Sequence, residues 1–347
     1  MKILHSADWH LDTPFTGHTG EALAQLRQAQ LALPGKIAEL CKAENCDLLL
    51  LSGDLFDGNH SAEGLRAVMQ ALEEAEIPVF IAPGNHDFCR PESPYLTAIW
   101  PENVHIFTKP IIESVALLSL DCRVYGAGFQ SMDCPALLEN FHATGSESYH
   151  IAILHGDPVQ QNSPYCPITQ AQVANSGLNY LALGHVHKDG LFTAGDTLCG
   201  WPGCPMGRGN DETGEKGVYL VDVDEKSIRF IPLDTPRFYD LEAEVTSTPE
   251  DTVRSLLPAA GNDHFYRITL TGECHPFGEF SFPQFPNLTI RDRTTPPADL
   301  WGCITEDTLE GNFFRMLHES LENDEEIATL AAKISRKILD GQEVALP

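Results

Sequence analysis

The sequence predicts a layered α/β domain followed by a small α+β unit and two terminal helices. Three observations carry this reading. From residue 1 to about 235, short apolar runs alternate with longer helical patterns. The rhythm changes after Asp234–Thr235–Pro236, where shorter elements succeed one another up to about Arg291. At 347 residues, with 42% hydrophobic and 21% charged side chains, the chain is globular in composition and long enough for about two domains.

Taken in order, Lys2–Ala7, Asp47–Ser52, Pro78–Ala82, His150–Leu154 and Asn179–Leu183 are apolar runs of the length and β-branched or leucine-rich character of buried strands. Glu21–Ala43 and Ser61–Ala75 carry apolar residues at three- and four-residue spacing and read as amphipathic helices. Pro34 is expected to break or kink the first. Arg229–Pro232 reads as a late strand. Beyond it, Tyr239–Val245, a helix after Thr248–Pro249–Glu250, and Phe265–Thr271 form the α+β unit, and Thr294–Thr295–Pro296–Pro297 marks a linker. Thr308–Asn323 and Glu326–Leu339 read as helices. The second bears Ile327, Leu330, Ala331, Ile334 and Ile338 as a stripe that packs on its own domain or, alternatively, docks a partner. The divisions expected are 1–235, 238–291 and 305–347. Neither an internal repeat nor a low-complexity stretch is visible.

Composition excludes several classes. No uncharged run approaches the ~18 residues of a membrane span, and the N-terminus reaches Asp8 too soon for a signal peptide, so the expected location is cytoplasmic. Lys and Arg number 22 against 50 Asp and Glu, a net charge of −28. Such a body repels polyanions at long range, so it does not read as an autonomous nucleic-acid binder. A phosphate substrate would need local positive charge from metal ions, a few arginines or a partner. Of the ten cysteines, Cys41/Cys46 and Cys199/Cys204 are five residues apart, and no Cys-x-x-Cys occurs. Reduced, mostly buried thiols are expected.

The chemistry lies in the residues just beyond each strand. After Lys2–Ala7 comes Asp8–Trp9–His10. After Asp47–Ser52 comes Gly53–Asp54–Leu55–Phe56–Asp57. After Pro78–Ala82 and Pro83 comes Gly84–Asn85–His86–Asp87. After His150–Leu154 comes His155–Gly156–Asp157, and after Asn179–Leu183 comes Gly184–His185–Val186–His187. Each fragment alone is common. Five in succession, each at the C-terminal end of an apolar run, place carboxylates, imidazoles and a carboxamide on the sheet edge where α/β sites form. Burying them together is costly without positive charge. Two divalent cations would supply it, and Asp, His and Asn donors suit manganese, iron or zinc.

The ordered set Asp-x-His, Gly-Asp-x-x-Asp, Gly-Asn-His-Asp, His-Gly, Gly-His-x-His resembles the calcineurin-like metallophosphoesterase superfamily over about residues 1–235. Within it, Ile3–Leu4–His5–Ser6–Ala7–Asp8–Trp9–His10–Leu11–Asp12 and Gly53–Asp54–Leu55–Phe56–Asp57 resemble SbcD-type DNA repair exonuclease subunits. Pro202–Gly203–Cys204–Pro205–Met206–Gly207–Arg208–Gly209 and Gly214–Glu215–Lys216–Gly217–Val218 resemble the YhaO-like branch. The resemblance implies a four-layer αββα sandwich with a small α+β cap at 238–291 and C-terminal helices at 305–347. It implies one metal on Asp8, His10 and His187, a second on Asn85, His155 and His185, and Asp54 bridging both, with manganese the usual ion. Two such metals activate a shared water for in-line attack on phosphorus. His86 would steady the phosphate or protonate the leaving oxygen, with Asp57 orienting it and raising its pKa; a turn carboxylate is the alternative for Asp57. The implied activity is hydrolysis of DNA phosphodiesters from ends or by nicking, beside an SbcC-like coiled-coil ATPase that supplies most of the DNA grip, with a homodimer possible. The alternative is a phosphodiesterase or phosphatase for a nucleotide or other small molecule.

Other polar residues remain open between roles. Arg208 either grips a phosphate or is a surface arginine. His5, inside the first strand, reads as a hydrogen-bonded core imidazole. Asp87 and Asp157 orient ligands or close turns. His18, His60, His105, His142, His150, His264, His275 and His318 sit in no motif and read as structural or exposed.

Overall fold

A computed structural model describes residues 1–297, 299–322, 324–339 and 341. In chain order the strands are β1 (Lys2–Ser6), β2 (Leu48–Leu51), β3 (Val79–Ile81), β4 (Val104–Ile106), β5 (Glu113–Leu117), β6 (Cys122–Gly126), β7 (Tyr149–His155), β8 (Tyr180–Gly184), β9 (Gly190–Ala194), β10 (Thr197–Trp201), β11 (Gly217–Asp222), β12 (Ser227–Pro232), β13 (Phe238–Glu244), β14 (Phe265–Thr271) and β15 (Leu288–Asp292). The helices are α1 (Gly20–Glu44), α2 (Ala62–Glu74), α3 (Pro94–Thr97), α4 (Gln170–Asn175), α5 (Pro249–Leu256), α6 (Leu309–Glu319) and α7 (Glu325–Leu339).

The apolar runs build two six-stranded sheets, ordered β12-β11-β1-β2-β3-β4 and β5-β6-β7-β8-β10-β9. β1 through β4 run parallel, as do β6, β7 and β8, so their C-terminal ends lie at one edge of each sheet. Period-two alternation sends Ile3, Leu48, Leu50 and Phe80 to a core shared with Val124, Ile151, Ile153 and Tyr180 of the second sheet. The opposite face, with Leu4, Leu49, Leu51 and Ile81, packs on Leu33 and Ile37 of α1 and Val68 and Leu72 of α2. The outer face of the second sheet covers Val173 of α4 with Ala152, Leu154 and Leu181. This is the expected layered sandwich of two sheets flanked by helices.

Two local expectations need correction. α1 continues unbroken through Pro34. The proline removes one helical donor, but Leu33, Pro34, Ile37 and Ala38 are all buried, and this face packing outweighs the lost bond. The α7 stripe does not turn inward: Ile327, Leu330 and Ile338 are exposed, whereas Ala328 and Ala332 are buried, Ala332 against Phe314 and Leu300. Small residues allow the helix to approach closely, so the alanine face takes the packing position.

By its contacts the chain forms two compact units: Met1–Asp240 with Ala260–Arg267 and Pro283–Thr289, and Leu241–Ala259 with Ile268–Phe282 and Ile290–Pro347. In the second, Thr248 caps α5 through its hydroxyl on the Asp251 amide, and α6 and α7 close on Phe314. The expected helical residues Asn323, Asp340 and 342–347 lie outside the described residues. All ten cysteines are free thiols, eight of them buried. Among the described residues no helix is long and apolar enough to cross a membrane.

Leu50 is fully buried between the two sheets. Leu50→Ala should cost about 2–5 kcal/mol, read as a lower urea midpoint with an unchanged slope.

Candidate metal centre

Five loops at the C-terminal edges bring the expected residues together. The loop after β1 runs beside the loop after β2, with the Asp8 amide on the Gly53 carbonyl (3.0 Å) and the His10 amide on the Asp54 carbonyl (2.9 Å). Asp8, His10, Asp54 and His185 all adopt positive φ, at 55°, 44°, 51° and 95°. This region costs non-glycine residues of the order of 1 kcal/mol or more each, and it turns these side chains inward. Space is equally tight. A Cβ at Gly84 would collide with Asp54 Oδ1 and stand 2.8 Å from the His155 ring, and one at Gly53 would stand 2.6 Å from His155 Nδ1.

Asp8, His10 and His187 present ligand atoms within 4.8 Å of one another, as do Asp8, Asp54 and His155. His10 Nε2 lies 3.2 Å from His187 Nε2. Asn85 Oδ1 lies 2.9 Å from His155 Nε2 and 3.2 Å from His185 Nδ1. Between these groups stands Asp54: its Oδ2 is 3.7 Å from His10 Nε2 and 3.4 Å from His155 Nε2, while its Oδ1 accepts the His86 amide at 2.8 Å. All seven expected ligands therefore converge, with Asp54 between the two clusters.

The protonation of the outer nitrogens tests whether cations fit. His155 Nδ1 is 2.9 Å from the Ser52 carbonyl, and His187 Nδ1 is 2.7 Å from Glu212 Oε1. A carbonyl only accepts, so His155 Nδ1 carries the proton and its Nε2 presents a lone pair inward, whereas His187 Nδ1 stands between an acceptor, Glu212 Oε1, and a donor, Arg208 Nη2. The His155 lone pair then faces the Asn85 and Asp54 oxygens, acceptor against acceptor. His10 Nδ1 is buried without a hydrogen bond, Asp57 Oδ1 being 3.5 Å away. Divalent cations fit this donor set and resolve the crowding.

Electrostatics agree. Burial, with Asp87 nearby, pushes Asp54 up to about 7, and burial pushes Asp8 up to about 6. Burial also lowers His10 to about 3 and His185 to about 4, so their neutral, ligating form prevails. His86 behaves differently. Its Nδ1 meets Asp57 Oδ1 at 3.0 Å, its side chain is 42% exposed, and this hydrogen bond raises its pKa against a smaller desolvation effect. His86 also stands within ligand reach of His10 and Asp54. Asp57 accepts from Thr13 Oγ1 as well (2.8 Å), and its contacts with His10 and His86 hold it well below the usual carboxylate range.

Arg208 is neither a bare surface arginine nor an open phosphate fork. Its Nη2 reaches Glu212 Oε1 at 2.6 Å and His187 Nδ1 at 3.0 Å, with Nε 3.2 Å from both Glu212 oxygens. Glu212 is desolvated, yet His187 and Arg208 hold it well below the usual carboxylate range. Sequence reasoning passed over Glu212, because nothing but its position four residues after Arg208 marks it. It also missed Gln30 of α1, which donates to the His10 carbonyl (2.8 Å) and accepts from the Asp12 amide (3.0 Å). Asp87 ties two loops together by accepting the Gly84 amide at 2.8 Å and the Leu55 amide at 2.7 Å, and Tyr95 donates to it. Asp157 closes its own turn through the Val159 and Gln160 amides, and its Oδ2 is 3.9 Å from His185 Nε2. His5 is a core imidazole held by Tyr180 (2.7 Å) and Ser52 (2.8 Å), and burial lowers it to about 3.

A two-sheet sandwich with this carboxylate–imidazole edge defines a metal-dependent phosphoesterase. Residues 1–189 match the model of the calcineurin-like phosphoesterase family, and the chain belongs to it. Over 246 residues it is 34% identical to the uncharacterized metallophosphoesterase YhaO of Bacillus subtilis, an alignment covering 66% of this chain and 59% of that protein. Among solved structures, a Thermus thermophilus protein aligns with a TM-score of 0.42 at 12% identity, covering 67% of this chain and 98% of its own. A dimetal phosphatase from Danio rerio aligns with a TM-score of 0.40 at 13% identity, covering 63% and 91%.

Glu212→Gln keeps the shape but removes the charge behind His187. Metal titration should show affinity about 10–100-fold weaker, with unchanged circular dichroism. Asn85→Ala should lower the bound metal per chain, measured by elemental analysis after dialysis.

Proposed function

We propose that the protein is a manganese-dependent phosphodiesterase acting on DNA ends, the catalytic subunit of a pair whose ATPase partner supplies the DNA grip. The observation that carries the phosphodiesterase part is Asp54 Oδ2 standing between His10 Nε2 and His155 Nε2, one carboxylate oxygen serving two ligand clusters. Asp8, His10 and His187 would hold one ion and Asn85, His155 and His185 the other. Such ions would supply Lewis-acid chemistry there, making water more acidic and offsetting charge on the phosphoryl oxygens.

The chain's own residues supply the rest. His86, half exposed beside the centre, gives its proton to the leaving oxygen, and Asp57 fixes the ring and keeps it protonated. Arg208 and Glu212 hold His187 in place. The DNA reading is supported by the motif resemblance. The exposed Leu309, Met316, Ile327 and Ile338 of α6 and α7 support docking of a coiled-coil ATPase. A second reading, a phosphodiesterase for nucleotides or other small diesters, is favoured by the net charge of −28.

End-labelled duplex separates the two. Manganese-dependent release of nucleotides supports the DNA reading, and turnover of small diesters alone supports the second. Thorough chelation should abolish activity and manganese should restore it; persistence after chelation refutes the metal reading altogether. His86→Ala should keep both metals by elemental analysis while losing about 10²–10⁴-fold in turnover. Since Asp57 raises His86, and the acid works only while protonated, Asp57→Asn should move the alkaline limb of the pH–rate profile to lower pH. An unmoved limb excludes the Asp57–His86 pairing as the acid.

A further inference from the structure

A cleft of about 740 Å³ opens beside the metal centre, bordered by Asp57, Arg208 and Glu212 and extending along Thr16, His18 and Asn210 to Asp240 and Arg267. Its volume lies within the range of small-molecule sites. All of these residues belong to the first compact unit. The space exceeds what a phosphate alone occupies, and it borders the centre directly.

The lining defines what suits it. Four carboxylates, Asp57, Asp211, Glu212 and Asp240, meet two guanidinium groups, those of Arg208 and Arg267. Each guanidinium is already paired with a carboxylate. Arg208 forks onto Glu212, and Arg267 forks onto Asp240 through Nε (2.8 Å) and Nη2. A second phosphate entering here would find no guanidinium free of a carboxylate and an excess of negative charge. Hydroxyl and amide groups, by contrast, line it at Thr16 and Asn210. His18 adds a ring wedged edge-on against Phe238 and Phe265, at centroid distances of 5.8 and 5.1 Å, with part of its surface open. Burial lowers its pKa, which favours the uncharged ring, and an aromatic ring lining a cleft is the kind of group on which a base stacks.

We propose that this cleft seats one uncharged nucleoside, with its base against His18 and its sugar toward Thr16 and Asn210, so that the substrate on this side ends in a hydroxyl. This rests on the phosphodiesterase reading and narrows it: the enzyme takes a chain end or a small diester and rejects the interior of a strand. It also gives His18 a binding role that its sequence surroundings do not reveal.

Binding to the metal-free protein tests the cleft apart from catalysis. Thymidine should shift the His18 ring resonances saturably, and thymidine 3′,5′-bisphosphate should bind at least tenfold more weakly. Thr16→Trp, an exposed-site change that fills the cleft, should weaken thymidine at least tenfold, with Asn210→Trp as the second blocking variant. With manganese, a dinucleoside monophosphate should lose at least tenfold in kcat/KM when a phosphate is added at one terminus and not at the other. Bisphosphate binding as tight as thymidine, absence of a saturable His18 shift, or thymidine affinity unaffected by both tryptophans overturns the proposal. If the nucleoside binds as described yet no diester is hydrolysed, the cleft assignment stands and the phosphodiesterase reading falls. If diesters are hydrolysed with equal efficiency whichever terminus is phosphorylated, the reverse holds.

Discussion

At the shared edge of the two sheets, the inward lone pair of His155 faces the oxygens of Asn85 and Asp54, and two buried carboxylates, Asp8 and Asp54, lie among the imidazoles. Such an arrangement is unfavourable on its own terms, since the His155 lone pair has given up water to face oxygens and the buried carboxylates hold their charge away from solvent. Positive charge at the centre turns the same crowding into ligation. The surrounding framework is intelligible as whatever is needed to keep acceptors aimed at one another. Burial suppresses ionisation of His10 and His185, and Asp54 sits where it can serve both clusters at once.

Holding that geometry costs backbone energy. Four of the seven converging side chains hang from residues with positive φ, a conformation tolerated only when the surroundings enforce it. Enforcement comes from hydrogen bonds one layer out. Asp87 binds the amides of both the β2 and β3 loops, Gln30 pins the first loop from α1, and Glu212 and Arg208 brace His187. The fully buried strands behind these loops provide a rigid base on which strain can be stored. Glycines 53 and 84 are then steric requirements, because any side chain there would occupy the ligands' own space.

Charge shapes the two sides of the centre differently. His86 is partly open with its pKa raised by the hydrogen bond to Asp57, whereas the cleft beyond Arg208 has its guanidinium groups already paired with carboxylates. In this acidic protein the guanidinium groups along the cleft are thus balanced by carboxylates, while the partly open imidazole beside the centre has its pKa raised.

Much of this was legible beforehand. The five apolar runs, the helices at 21–43 and 61–75, and the polar clusters beyond the strands could be read from strand-then-motif order, because a buried parallel strand is a continuous apolar run and its polar successor must lie at the sheet edge. Which of those residues would ligate was implied by the family resemblance. Less visible were β4, β5, β6, β9, β10 and β11, short strands of mixed composition interrupted by polar residues such as Glu113 and Arg123. Glu212 and Gln30 carried no local pattern, and Arg208 acquired its role only from a neighbour that folding put within reach. The isoleucines of α7 had helical spacing, yet which face packs depended on how closely an alanine face could approach Phe314. Residue order alone determined the layered fold and the placing of carboxylates and imidazoles at the strand ends, since both derive from local periodicity and residue chemistry. Tertiary structure decided how the chain splits into two sheets, which nitrogen of each imidazole faces inward and what braces it, because those depend on contacts between segments that no local pattern relates.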